Sequence, residues 1–335
     1  MNKKIVTILF FALLFVYSCN LIGGANYGDT LTVGEWNVEN LFDTIDDPGK
    51  KDEEFTPNSN KHWTLARLHE KLNHLAKVLN LVKPDLWGFE EVEHKALIDS
   101  IVSRLNYAEY GIVYAESPDF RGIDNALIYR KDKFAVISFD TLKVALPLNH
   151  TTRYILYVKL KDYNGNVWNV FVNHWPSRWG GKEKSEPKRI SAAQTLREYL
   201  ICNKINKNVI IMGDFNDDPT DPSIRYVLSA KTDKEHVIRK KDLINLAAPK
   251  FLHGEGSLEY HGKWNMLDQI IVTQDLLGEG KIRYVKNSFN VIKYDFMVVQ
   301  SGKYKGYPAR TYAGRKFLGG YSDHFPVTAK FVSED

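Results

Sequence analysis

The segment VIIMGDFNDDP, residues 209–219, constrains the chain more than any other. Four consecutive apolar residues, 209–212, carry the signal of a strand buried on both faces. The strand meets Gly213 and then presents Asp214, Asn216, Asp217 and Asp218 together. A turn uses one or two such residues, whereas a hard cation uses several oxygen donors. The same device recurs along the chain. Asn37 and Glu39 follow the apolar start of LTVGEWNVENL, and Glu90 and Glu91 follow DLWGF. Asn173 and His174 follow NVFV, Asp268 opens QIIV, and Asp323 and His324 precede FPVTAKF. Each occurrence alone reads as ordinary turn chemistry or, for Glu90 and Glu91, as a helix start. Together they predict one polar cluster at the edge of a packed sheet.

The elements between these ends alternate. Leu68, Leu72, Leu75, Leu79 and Val82 recur at helical spacing behind Thr64, a cap residue, with Pro84 beyond the end. A second helix is expected over 186–203, capped by Ser185 with Pro187 in its first turn. Strands are expected at 85–93, 125–130, 153–160 and 167–175, and again in NVIIMGDF, MLDQIIVT and FPVTAKFV. Strands separated by long helices, with other strands in succession, give an α/β or α+β sandwich. With 44% hydrophobic residues, seven Trp and eighteen Tyr, a single large domain over 31–335 has ample core.

The first nineteen residues, MNKKIVTILFFALLFVYSC, are of another kind. A basic start and an apolar run over 5–16, too short to span a bilayer, read as a signal peptide over 1–18. Its end in VYSC fits a bacterial lipoprotein signal, with Cys19 as the acylated residue and 19–30 as tether. Tyr17 is unusual in that position, and a plain secretory signal that contains a cysteine is the alternative. The expected location is extracytoplasmic, lipid-anchored to a bacterial membrane on its periplasmic face or at the cell surface. Cys202 is the only other cysteine, so an acylated Cys19 leaves no internal disulfide. The formal charge of +4 includes Lys3 and Lys4 of the signal, which argues against a broad footprint for duplex DNA and leaves room for a local basic groove.

The motifs WNVENL, PDLWGFEEVE, RGIDNALIYR, VNHWPSRWGG, MGDFND, LDQIIV and YSDHFPV, in that order over about 31–332, resemble the endonuclease/exonuclease/phosphatase superfamily. The resemblance implies a four-layer α/β/β/α sandwich of two mixed sheets flanked by helices. It implies a monomeric phosphoric ester hydrolase with a divalent metal, Mg²⁺ first and Mn²⁺ or Ca²⁺ as alternatives. It assigns the metal to Asn37, Glu91 and Asp323, and catalysis to His174, Asp214, Asn216, Asp268 and His324. Relatives often carry Gln where this chain has Glu90. Strand alternation sends Glu90 and Glu91 to opposite faces, and Glu91 is the one expected to face the metal.

Candidate substrate contacts are Arg121, Trp175 and Arg178. Trp175, Trp179 and Arg178 lie in NHWPSRWGGKEKSEPKR, where aromatic and cationic residues mix. SGKYKGYPARTYAGRKF, 301–317, repeats that mixture. The leading expectation is an extracytoplasmic nuclease acting on DNA or RNA. A phosphatase or phospholipid phosphodiesterase on the same scaffold, with an inositol phosphate or sphingomyelin substrate, is the alternative. A non-catalytic binding lipoprotein is disfavoured, because a degenerate copy loses some of these residues.

Overall fold

The computed structural model describes residues 30–232 and 241–335. The expected signal, Cys19 and the tether up to residue 29 lie outside the described residues, and Thr30 already belongs to the first strand.

Two seven-stranded sheets make the centre of the fold. The chain enters through β1 (Thr30–Leu41), α1 (Leu65–Val82), β2 (Leu86–Val92), α2 (Lys95–Val102), β3 (Tyr110–Tyr114) and β4 (Asp124–Arg130). It continues with β5 (Phe134–Leu142), β6 (Ile155–Asp162), β7 (Val167–His174), α3 (Lys182–Cys202) and β8 (Val209–Asp214). Short strands follow: β9 (Ala230–Lys231), β10 (Leu243–Asn245), β11 (Leu258–Tyr260) and β12 (Lys263–Asn265), with α4 (Ala248–Leu252) after β10. The last part holds β13 (Asp268–Thr273), β14 (Ile282–Tyr284), β15 (Asn290–Val291), β16 (Tyr312–Ala313), β17 (Lys316–Phe317) and β18 (Val327–Ser333).

One sheet runs β14-β18-β1-β2-β4-β3 with β15 also on β18; the other runs β5-β6-β7-β8-β13-β10-β9. Both are mixed: β1 pairs β2 in parallel and β7 pairs β8 in parallel, while most other neighbours are antiparallel. Val170, Val172, Ile210 and Met212 of the second sheet share a core with Leu31, Val33, Leu127 and Phe331 of the first. The opposite face of the second sheet, with Phe171, Val209 and Ile211, packs on Ala192, Ala193, Leu196 and Leu200 of α3. The apolar stripe of α1 covers the outside of the first sheet. The four-layer α/β/β/α expectation is met.

Thr64 Oγ1 accepts from Arg67 N at 3.4 Å at the start of α1, and Lys83 closes the helix in the left-handed region. The other long helix departs from the sequence reading. It begins at Lys182 with Gly181 at the cap, so Ser185 lies inside it and its hydroxyl donates back to the Gly181 carbonyl at 2.7 Å. The edge strand β5 also escaped notice, because most of its residues are exposed or half-buried and it shows no clean alternation. Among the described residues no helix is long and apolar enough to cross a membrane.

Pairing brings the polar strand ends to one edge. In register, His174 lies beside Asp214 and Asp214 beside Asp268, while Asn37 lies beside Glu90 in the facing sheet. Gly213 is required at the end of β8: its φ is +133°, and a Cβ there would sit 2.0 Å from the Asn173 carbonyl oxygen.

Candidate active site

Asp214 is the hub of the cluster. Its Oδ2 accepts from Asn37 Nδ2 at 3.0 Å and from Asn216 Nδ2 at 3.3 Å, and its Oδ1 accepts from Asn216 N at 2.8 Å. His174 Nε2 is 3.6 Å and His324 Nε2 is 4.0 Å from the same Oδ2. Burial pushes the Asp214 carboxyl up to about 6, against the pull of the His324 imidazole. It therefore stays largely ionised at neutral pH and is a better proton acceptor than an exposed aspartate.

The two histidines differ. His324 Nδ1 lies 2.8 Å from Asp268 Oδ2, which also accepts a short hydrogen bond from the Ser257 hydroxyl. Burial works against a charged His324, but the Asp268, Asp214 and Asp323 carboxylates outweigh it and hold the imidazole pKa well above its ordinary value. His174 goes the other way: burial, with Arg153, Arg121 and His324 nearby, holds it well below that value. The surroundings thus drive His324 toward its charged form and His174 toward its neutral form.

Glu91 reaches the cluster through irregular backbone. Glu91, and not Glu90, lines the cavity as expected, but it gets there through a bulge and not by regular alternation. The pairings of β2 shift register between Phe89 and Val92, and Glu91 takes a φ of +63°. On the neighbouring strand Glu39 and Asn40 also have positive φ. This paired bulge re-aims Glu91 into the cavity. Its Oε2 accepts from Asn40 N at 2.7 Å, while Oε1 lies 3.8 Å from both His174 Nε2 and Arg121 Nη2.

Glu90 stays on the inner face, below the cavity. It is fully buried, as is Glu35, and none of their four carboxyl oxygens has a hydrogen-bond donor. Burial and neighbouring acids, Asp268 among them, push both carboxyls well above the usual range, and the two approach closely enough to share a proton. An amide at position 90 replaces the shared proton with a fixed donor. Glu90→Gln is therefore expected to stabilise the fold by about 1 kcal/mol, roughly a 2 °C rise in Tm by calorimetry. A lowered Tm would contradict this account of the pair.

Around Glu91, Asp214 and His324 lies a cavity of about 850 Å³, whose lining includes Asn37, His174, Asn216 and Asp323. Asp323 is tied to Arg310 at 2.8 Å. Asn37 Oδ1 accepts from Glu39 N at 3.0 Å while its amide nitrogen holds Asp214. Glu39 itself binds Thr311 N and Tyr312 N, so it anchors the 309–313 segment instead of entering the cavity. The donor set suits a hard divalent cation: four carboxylates (Glu91, Asp119, Asp214, Asp323) and three amides (Asn37, Asn40, Asn216) line one cavity, and Glu91 Oε1 accepts no hydrogen bond from the described residues.

The proposed substrate contacts divide. Arg121 lines the cavity, with Nη1 3.4 Å from Asn40 Oδ1. Trp175 does not serve as a substrate contact: it is 1% exposed, stacks edge-on against Phe215 and donates its indole N–H to Asn173. Trp179, four residues on, is 90% exposed at the cavity rim. Arg178 lines the adjoining cavity but is already engaged. Its guanidinium is taken up by the Asn216 carbonyl, Asn265, Asp218 and Asp221 at 2.8–3.2 Å, so it braces the Asn216–Asp218 turn. Asp217 is bound to fully buried Arg189 at 2.7 Å. Of the four polar residues after the strand, two face the cavity and two hold the loop. The basic segment 301–317 contributes no residue to this cavity, since Tyr312 packs with Phe55, Trp63 and Phe317. Sequence reasoning passed over Arg153, a buried cation in the cavity wall held by Asp119 at 3.1 Å and the Trp175 carbonyl at 2.8 Å. Its only signal is a charge at the start of the apolar strand RYILYVKL.

A family model described as the Endonuclease/Exonuclease/phosphatase family matches residues 32–332. The chain belongs to that family. It is accordingly a metal-dependent phosphoric ester hydrolase. No curated protein matches the sequence. Solved structures share the fold at low identity. An endonuclease/exonuclease/phosphatase family protein from Bacteroides thetaiotaomicron is 15% identical, with a TM-score of 0.57 over 92% of this chain and 99% of that one. A mannosyl-6-phosphatase from the same organism is 16% identical, with a TM-score of 0.56 over 90% and 99%. D. rerio TDP2 complexed with single strand DNA product is 16% identical, with a TM-score of 0.55 over 90% and 98%.

Proposed function

We propose that this family member is an extracytoplasmic phosphodiesterase that hydrolyses nucleic acid, held at a bacterial membrane by an acyl group on Cys19. The observation that carries the nucleic-acid reading is the groove. A second cavity of about 640 Å³ shares Trp179, Asn216 and His324 with the catalytic one. Exposed Trp179 and Tyr260, with Lys263, line this extension beside Lys182, which is paired to Asp221, and Phe120, Lys51 and Lys188 line the catalytic side. Aromatic faces and cations on both sides of the reacting centre suit a strand that continues past the scissile bond. The likeness to TDP2 complexed with a single strand DNA product agrees with it.

Glu91 and Asn37, with Asp323 beside them, would hold a divalent cation, Mg²⁺ in this reading, which would supply Lewis-acid polarisation of a phosphate oxygen. Asp214 orients the attacking water and takes its proton. Water oxygen bonds to phosphorus as the bond to the departing oxygen breaks, in line with the attack. Charged His324, steadied by Asp268, faces the phosphoryl oxygens and stabilises the charge that develops on them. Neutral His174 and the Asn216 amide add hydrogen bonds. Arg121 and Arg153 make the far wall of the cavity cationic.

The mannosyl-6-phosphatase neighbour favours a second reading, in which a sugar phosphate occupies only the catalytic cavity. A panel with purified protein and Mg²⁺ separates the two: plasmid DNA, RNA, mannose 6-phosphate, inositol phosphates and sphingomyelin, with EDTA as control. The expected result is metal-dependent cleavage of DNA or RNA well ahead of the monoesters. Hydrolysis confined to monoesters or lipid would overturn the nuclease reading and leave the hydrolase assignment intact.

A further inference from the structure

A second group of acids lies outside the catalytic cavity. Glu93, two residues beyond Glu91, is 2% exposed and none of its neighbours Asp43, Asp47, Asp52 and His94 lines that cavity. One donor atom each from Asp47, Asp52 and Glu93 lies within 4.8 Å of the others, and the same holds for Asp43, Glu93 and His94. Glu93 is common to both sets. Among the described residues the only ion pair to these four carboxylates comes from His94, 3.0 Å from Asp47.

Acid clusters on a surface are solvated and need no counter-ion. This one is different because its inner members are buried. Asp52 is 1% exposed, and its Oδ1 has no hydrogen-bond partner, although Oδ2 accepts from Asp47 N at 2.9 Å. A buried carboxylate oxygen without a donor is costly unless a cation meets it. The donors are carboxylate oxygens, which suit a hard cation, and Ca²⁺ accepts an irregular set of them more readily than Mg²⁺ does.

We propose that Asp47, Asp52 and Glu93, with Asp43 beside Glu93, form a structural site for a divalent cation of the calcium type, separate from the catalytic metal. The site clips the 43–52 segment to the end of β2. That segment supports the cavity wall, since Lys51 N donates to the Phe120 carbonyl at 2.9 Å and Lys50 Nζ to the Asp119 carbonyl at 3.1 Å. Arg121, next in the chain, lines the catalytic cavity. Cation binding at the clip therefore orders the arginine that faces the substrate. The proposal does not depend on which phosphate ester the enzyme takes.

The test is calorimetric melting of EDTA-stripped, dialysed protein with and without Ca²⁺, in the wild type, Asp47→Asn and Glu91→Gln. Asp47 is half-exposed, so its substitution preserves folding better than a change at Asp52. The expected result is a rise of about 4 °C at a Ca²⁺ concentration a hundred times Kd in the wild type and in Glu91→Gln. In Asp47→Asn that rise is lost or needs at least tenfold more Ca²⁺. Direct Ca²⁺ titration by isothermal calorimetry should show the same loss of one site. No Ca²⁺-dependent rise in the wild type, a rise unchanged in Asp47→Asn, or one abolished by Glu91→Gln overturns the proposal.

Discussion

Asp214→Ala is expected to lower phosphoester turnover at least about a hundredfold, the lower end of what a positioned acid or base contributes. No other side chain in the cluster can take its place. Asn37 and Asn216 both aim their amide nitrogens at its Oδ2, and both histidines point an Nε2 toward the same atom. Removing the carboxylate takes away the proton acceptor and leaves four donors facing one another around a gap. The effect should fall on kcat, since the groove that binds the substrate is untouched. Steady-state kinetics on a chromogenic phosphodiester, with circular dichroism to verify folding, checks it. A folded variant with near-normal kcat would remove Asp214 from the reaction.

Asp268→Asn is the second large effect. Asp268 is fully buried and reaches no substrate, so its role is to position and charge His324. The asparagine keeps the shape and removes the negative charge. The His324 pKa, raised in the native protein, should then fall. Activity that needs the imidazolium persists until pH rises through that pKa, so the alkaline limb of the pH profile should move to lower pH in the variant. Turnover at pH 8 should drop on the order of a hundredfold, and less at pH 6. A merely structural role would lower activity equally at both pH values, and that outcome would contradict the assignment.

Much of the site was legible because strand ends carry their chemistry in sequence. Asp214 follows four fully buried apolar residues, and His174 and Asp268 flank it by simple register. Once the strands pair, no long-range guess is needed to bring those three together. The failures have physical causes. Alternation holds only for regular strand, and the bulge at Glu91 breaks it in a way no residue type announces. Trp175 and Trp179 look alike in sequence. The indole of Trp175 finds an acceptor on Asn173 and a core behind it, while Trp179 precedes Gly180 and Gly181, both with positive φ, and is left at the surface. The engagement of Arg178 is hidden in the sequence because its partners Asp218, Asp221 and Asn265 lie some forty to ninety positions away. Buried polar pairs such as Glu35 with Glu90 are invisible until the two sheets face each other.

Everything in the catalytic reading depends on a cation sitting at Glu91 and Asn37, with Asp323 beside them. Anomalous diffraction from a crystal grown with Mn²⁺ and soaked with phosphate locates it directly. The expected density lies within bonding distance of the Glu91 carboxylate, with phosphate between it and His324. Manganese bound elsewhere, with Glu91 bare and phosphate away from His324, would contradict the account.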